Sequence, residues 1–329
     1  MSKENLQFAV SSMSTGEYRP SHLHEILVPR FATEQLVKRT AYLKERLGPV
    51  FGQENISLSL HPATTIDMPK AIKLLQAAGI PVSSIDAPSV YANKLYVSNV
   101  LKSFLGGNLR ELKIQTGWRL QNVESEEKKE EKLDEALKAF SPATNPKIFR
   151  SNAEIWHESR EGEELRRKLK GQSGAIIAIE LDAKTQTPAE YLRFLKELAK
   201  TNDKDTPVYA DIDLGHLEES KYLHDENQIS EPLDIYEKIL RDPETSRLVA
   251  VTSLNQYKAG ETHTHTNFMH GPIDFSKATK ELGIAAREGR LPFPPMTIAE
   301  FFPMEYEQVL NDSAIKQWKT VKEAFDNGR

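Results

Sequence analysis

The chain has 329 residues, 39% of them hydrophobic and 28% charged, with a formal net charge of −5. That length allows a large core in one domain or two, and the acidic balance argues against wholesale nucleic-acid binding through a basic surface. There is no cysteine, which excludes disulfides, thiolate catalysis and Cys-ligated zinc.

In chain order, short strand-like runs alternate with helical stretches. The N-terminus leads only into the short run Leu6–Val10, so no signal peptide is expected, and no run approaches membrane-spanning length. A cytoplasmic protein without membrane association is the default. A helix is predicted from about Thr33 to Leu47. Ile56–Leu60 alternates strictly and reads as the second strand. A helix from Met68 stops at Gly79, and Pro81–Ile85 is the third strand. Leu109–Ile114 is taken as the fourth. The fifth is Ala175–Ile179, the sixth Val208–Ile212, the seventh Leu248–Ser253 and the eighth Thr297–Ala299. Thr187-Pro188-Ala189-Glu190 has the pattern of a capping box with proline at the first helical position. A helix begun near Ser276 meets Gly283, where it is expected to break or end.

Eight β/α alternations imply right-handed crossovers and a parallel sheet, and the count favours a closed (β/α)₈ TIM barrel spanning residues 1–329 as a single domain. No glycine-rich dinucleotide fingerprint follows the first strand, which weighs against an open doubly wound sheet. Residues 124–170 exceed what a minimal barrel needs. They are read as a helical excursion between strands 4 and 5, serving as a lid or as a contact between copies in a homo-oligomer.

Candidate chemistry gathers after the strands. Asp211 and Asp213 share one face of the sixth strand, because alternate residues of a strand point the same way, and His216 follows just past its end. Glu180 closes the fifth strand and Glu300 the eighth. Between the seventh and eighth lie His263 and His265, with the i, i+2 spacing that lets two imidazoles chelate one ion. Carboxylates and imidazoles at the C-terminal ends of barrel strands suit a divalent metal: Mn, Zn, Co, Mg or Fe. His22, His24, His61, Trp118 and Arg119 fall on presumed loops of the same face, as substrate contacts or ordinary rim packing.

This order of residues resembles the xylose isomerase-like barrel superfamily: Glu180 at strand 5, Asp213-x-x-His216 at strand 6, histidines in the seventh loop, Glu300 at strand 8. The superfamily includes sugar and sugar-phosphate isomerases and epimerases, and the endonuclease IV-type nucleases. The match covers mainly Ala175–Phe302, with a weaker echo in Asp86–Asn93. Ser253-Leu254-Asn255-Gln256 stands where the family's strand-7 metal histidine is usual, and Asp86 and Gln115 stand for two histidines of the endonucleases. The resemblance therefore leaves two ligand sets open. One is Glu180, Asp213 and Glu300 with a substitute histidine; the other is His216, His263 and His265. It implies a divalent-metal-dependent isomerase or epimerase acting on a small carbohydrate-like molecule through an enediolate, with Glu180 and Glu300 as the acid/base pair and His216 orienting a hydroxyl or ligating metal. The alternatives are a metal-dependent hydrolase or lyase, including an endonuclease IV-like phosphodiesterase, and a non-catalytic barrel subunit. No nucleic-acid partner is expected.

Overall fold

The structure is a computed structural model. It describes residues 5–12, 29–60, 68–86, 137, 140, 144, 146–152, 166–167, 169–170, 174–181, 183, 186–202, 207–224, 231–257, 268–301 and 306–328.

Eight parallel strands close into a barrel in sequence order. They are β1 (Gln7–Ser11), β2 (Ile56–Leu60), β3 (Val82–Asp86), β4 (Lys147–Asn152), β5 (Ala175–Glu180), β6 (Val208–Asp213), β7 (Val249–Leu254) and β8 (Met296–Ala299). The described helices are α1 (Pro29–Phe51), α2 (Met68–Ala77), α3 (Pro188–Thr201), α4 (Leu214–Leu223), α5 (Pro232–Arg241), α6 (Pro243–Ser246), α7 (Phe275–Arg287), α8 (Tyr306–Leu310) and α9 (Asp312–Gly328). None of these helices is long and apolar enough to cross a membrane. The barrel expected from the alternation is thus the observed fold, and β8 pairs with β1 to complete it.

One strand differs from expectation. The fourth position is filled by Lys147–Asn152, which pairs with β3 on one side and β5 on the other. Leu109–Ile114 lies outside the described residues. The excursion between strands 4 and 5 is corrected accordingly: part of 124–170 is β4 itself, and the long connection runs from β3 to β4. The physical reason is that β4 carries little apolar signal. Ile148 points into the barrel and Phe149 outward, while the next inward position is Arg150, a charged residue that reads as solvent-exposed until its partners are known.

The barrel has two apolar layers. Ala9, Ile148, Ile176, Ala178, Ala250, Val251 and Ile298 fill its interior, closed off by Tyr209, Phe293 and Met296. Outward-facing residues such as Phe8, Leu58, Phe149, Ile177 and Ile212 pack against the helices. There Phe8 stacks on Phe51, with ring centroids 4.2 Å apart, and meets Trp318 edge-on. The expected capping box opens α3: Thr187 Oγ1 accepts from the Glu190 N–H at 3.2 Å, and Glu190 Oε2 accepts from the Thr187 N–H at 2.8 Å. The helix through Gly283 does not break. Gly283 is buried within a continuous α7 that packs closely on α9.

In parallel strands, residues later in the chain lie nearer the C-terminal mouth. Arg150, Glu180, Asp211, Asp213, Ser253 and Glu300 all follow the apolar interior residues of their own strands. The β5–β6 register sets Glu180 beside Asp211, and the β6–β7 register sets Asp213 beside Ser253. The sheet alone therefore brings these groups to one end.

Candidate active site

Arg150 is the hub of the site. Its side chain is 3% exposed and its guanidinium donates to four oxygens supplied by other strands. Nε donates to Asp211 Oδ2 at 2.6 Å and Nη1 to Glu300 Oε1. Nη2 donates to Glu180 Oε2 at 3.2 Å and to Ser253 Oγ at 3.0 Å. Ser253 in turn donates to Asp211 Oδ1 at 2.8 Å, so both oxygens of fully buried Asp211 serve this hub. Burial of a charge is tolerated only with such pairing.

A second group adjoins it. Asp213 caps α4: its Oδ1 accepts the His216 backbone N–H at 2.7 Å, and its Oδ2 accepts from Asn255 Nδ2 at 2.6 Å. The Asp-x-x-His spacing is therefore also a helix N-cap, which places His216 in the first turn of α4. His216 Nδ1 lies 3.3 Å from Glu180 Oε1 and 4.0 Å from Asp213 Oδ2. Glu180 and His216 are the partly exposed members, with side chains 18% and 19% accessible. Glu180 joins the two groups, one oxygen on Arg150 and the other facing His216.

The electrostatics follow from these contacts. Four carboxylates share one guanidinium and one imidazole. Burial pushes Asp211 up to about 6, although Arg150 pulls it down; Glu180 and Glu300 add to the rise. Burial likewise pushes Asp213 up to about 8, against the opposing pull of His216. Burial acts to lower the His216 imidazole, but Asp213 and Glu180 together outweigh it and hold it well above its ordinary value. The site has more negative charge than it can neutralise and retains protons as a result.

That excess suits a divalent cation, which would take the place of the protons. Glu180, Asp213 and His216 each offer a donor atom, all within 4.8 Å of one another. The set of two hard oxygens and one imidazole suits Mn, Zn, Co or Fe with open positions for a substrate. The residues present therefore fit a metal.

Of the residues singled out from sequence, Glu180, Asp213, His216 and Glu300 come together at one mouth. Glu300, buried, is committed to Arg150. His263, His265, His22, His24, His61, Trp118, Arg119 and Gln115 lie outside the described residues. Arg150, Ser253 and Asn255 were not foreseen as contributors. For Ser253 and Asn255 the sequence holds a signal: the tetrad Ser253–Gln256 stands at a ligand position, and it supplies hydrogen bonds to the carboxylates instead of an imidazole.

No protein-family model matches the chain, and no curated protein matches it. Solved structures do. A xylose isomerase domain protein from Alicyclobacillus acidocaldarius subsp. acidocaldarius aligns at 12% identity and TM-score 0.46, covering 98% of each chain. An IolI protein solved with a bound zinc atom aligns at 10% identity and TM-score 0.47, covering 98% of this chain and 99% of its own. At such identities the likeness concerns the backbone, and the chemistry has to be argued from this chain's residues.

Proposed function

We propose that the protein is a divalent-metal-dependent isomerase or epimerase acting on a small sugar-like molecule, by moving a proton on the carbon beside a carbonyl. The supporting observation is the meeting of Glu180, Asp213, His216 and Glu300 at the C-terminal mouth, with Glu180 and Glu300 held on different nitrogens of one guanidinium. Glu180, Asp213 and His216 would hold the ion, which when bound polarises a substrate carbonyl and hydroxyl.

The chain's own residues then have separable tasks. Glu300 is held by Arg150 through Oε1 and is the candidate general base. Glu180 has an accessible edge and is its acid/base counterpart. Each such group typically supplies about 10²–10⁴-fold. His216, held protonated by its carboxylate neighbours in the metal-free site, would give up that proton to serve as the imidazole ligand of the ion. Asp213 holds His216 through the cap, and Asn255 holds Asp213. The barrel wall of Ile176, Ala178 and Ile298 closes the floor beneath and excludes water.

The test is a panel of aldoses, ketoses and their phosphates incubated with protein and divalent metal in deuterated water. Deuterium on the carbon beside the carbonyl of a turned-over compound supports the reading, and Glu180→Gln and Glu300→Gln should each abolish it. Incorporation of water oxygen into a cleaved product would identify hydrolysis instead and withdraw these roles.

A further inference from the structure

The Arg150 environment has the character of a cation-binding cage already filled. Three carboxylates and a hydroxyl, from four different strand ends, converge on a guanidinium that is almost wholly buried. Hard oxygen donors gathered in this way are the usual shell of a divalent ion. Among the described residues the Asp211 carboxylate bonds only to this cage, one oxygen meeting Arg150 and the other Ser253. The remaining donors, the second oxygen of Glu180 with Asp213 and His216, form a separate set on the other side of Glu180.

We propose that the Arg150 guanidinium stands in for a second divalent cation. Asp211, Glu300, Ser253 and one oxygen of Glu180 are then a metal-type cage occupied by a built-in charge, and the mouth is a hybrid centre of one fixed cation and one exchangeable ion. Arg150 is a positioning residue in this arrangement: it sets the spacing of Glu180 and Glu300 and keeps a second ion out. The exchangeable-ion half rests on the metal reading given above; the cage itself does not.

The experiment is calorimetric titration of metal-stripped protein with manganese chloride at neutral pH. It compares wild type, Arg150→Lys and Arg150→Met. Methionine keeps apolar bulk and removes the charge, leaving the cage empty and anionic. Wild type and Arg150→Lys should bind one equivalent, and Arg150→Met two. No binding to wild type with one equivalent gained by Arg150→Met would sustain the cage while refuting the metal reading of the proposed function. Two equivalents in wild type would overturn the inference, as would no gain in Arg150→Met. Should Arg150→Met fail to fold without metal, circular dichroism after refolding with and without manganese decides. Recovery only with the cation supports the cage, and no recovery in either condition overturns it.

Discussion

Gly215 offers a sharp test of how the site is positioned. It sits in the first turn of α4, between Asp213 and His216. A Cβ built there would lie 1.4 Å from Asn255 Oδ1 and 2.5 Å from Asn255 Cγ, with the Asn255 backbone carbonyl carbon next at 3.3 Å. Gly215→Ala must therefore drive the Asn255 side chain away, and with it the 2.6 Å hydrogen bond to Asp213. Leaving a buried polar group unpaired costs about 1–3 kcal/mol. Overpacking adds about 1–3 kcal/mol. Alanine's better helix propensity returns up to about 1 kcal/mol. The net expectation is a loss of about 1–6 kcal/mol. In an Asn255→Ala background the clashing atoms are gone and only the backbone contact remains, so the same Gly215→Ala change should cost less than about 1 kcal/mol. Urea denaturation of the four proteins, metal-free and at one pH, gives the cycle directly. Equal costs in the two backgrounds would refute the claim that Asn255 fills the space a side chain at 215 would need.

Other outcomes follow from the same contacts. Asp211 and Asp213 bind protons more tightly in the folded chain than in the unfolded one. Their stabilisation is thus complete below about pH 4 and is lost as pH rises through about 6 and then about 8. His216, also raised, acts in the same direction. Metal-free urea midpoints should therefore fall from pH 5 to pH 8, and Asp213→Asn should flatten the fall; a wild-type midpoint that rises over this range would contradict the assignment. Added divalent ion should reverse the trend, since metal binding displaces protons. Tyr191→Phe removes the hydroxyl that donates to the carbonyls of Ile179 and Asp211 at 2.8 and 3.1 Å, and should lower stability by about 1–2 kcal/mol in thermal melts. Thr187→Ala breaks the α3 capping box, which shares no hydrogen bond with Glu180, Asp213 or His216 among the described residues. It should cost about 1 kcal/mol and leave metal titrations unchanged.

Much of this architecture was legible in the sequence because it is written locally. Ile56–Leu60 alternates, Ala175–Ile179 is a buried parallel run, and Thr187–Glu190 caps a helix whatever surrounds it. Strand parity placed Asp211 and Asp213 on one face, and both do point inward. The fourth strand was not legible because only Ile148 among its inward residues is apolar and the next is Arg150, whose burial makes sense only beside Asp211, Glu300, Glu180 and Ser253, contributed by four other parts of the chain. Periodicity carries no record of such distant partners. The same limit applies to Glu300. Its place at the mouth could be read from the strand it follows, but its bond to Arg150 rather than to an ion depends on the register of β4 in the sheet. In the sequence Asn255 reads only as part of a segment lacking an imidazole, whereas in the fold its amide fixes the Asp213 carboxylate.

The most direct test of the account is anomalous diffraction from crystals grown or soaked with manganese. The account predicts one peak in contact with Glu180, Asp213 and His216, with the Arg150 guanidinium still bonded to Asp211 and Glu300. An absence of density at those three residues under saturating metal, or a peak in the place of the guanidinium with Arg150 turned away, would contradict it.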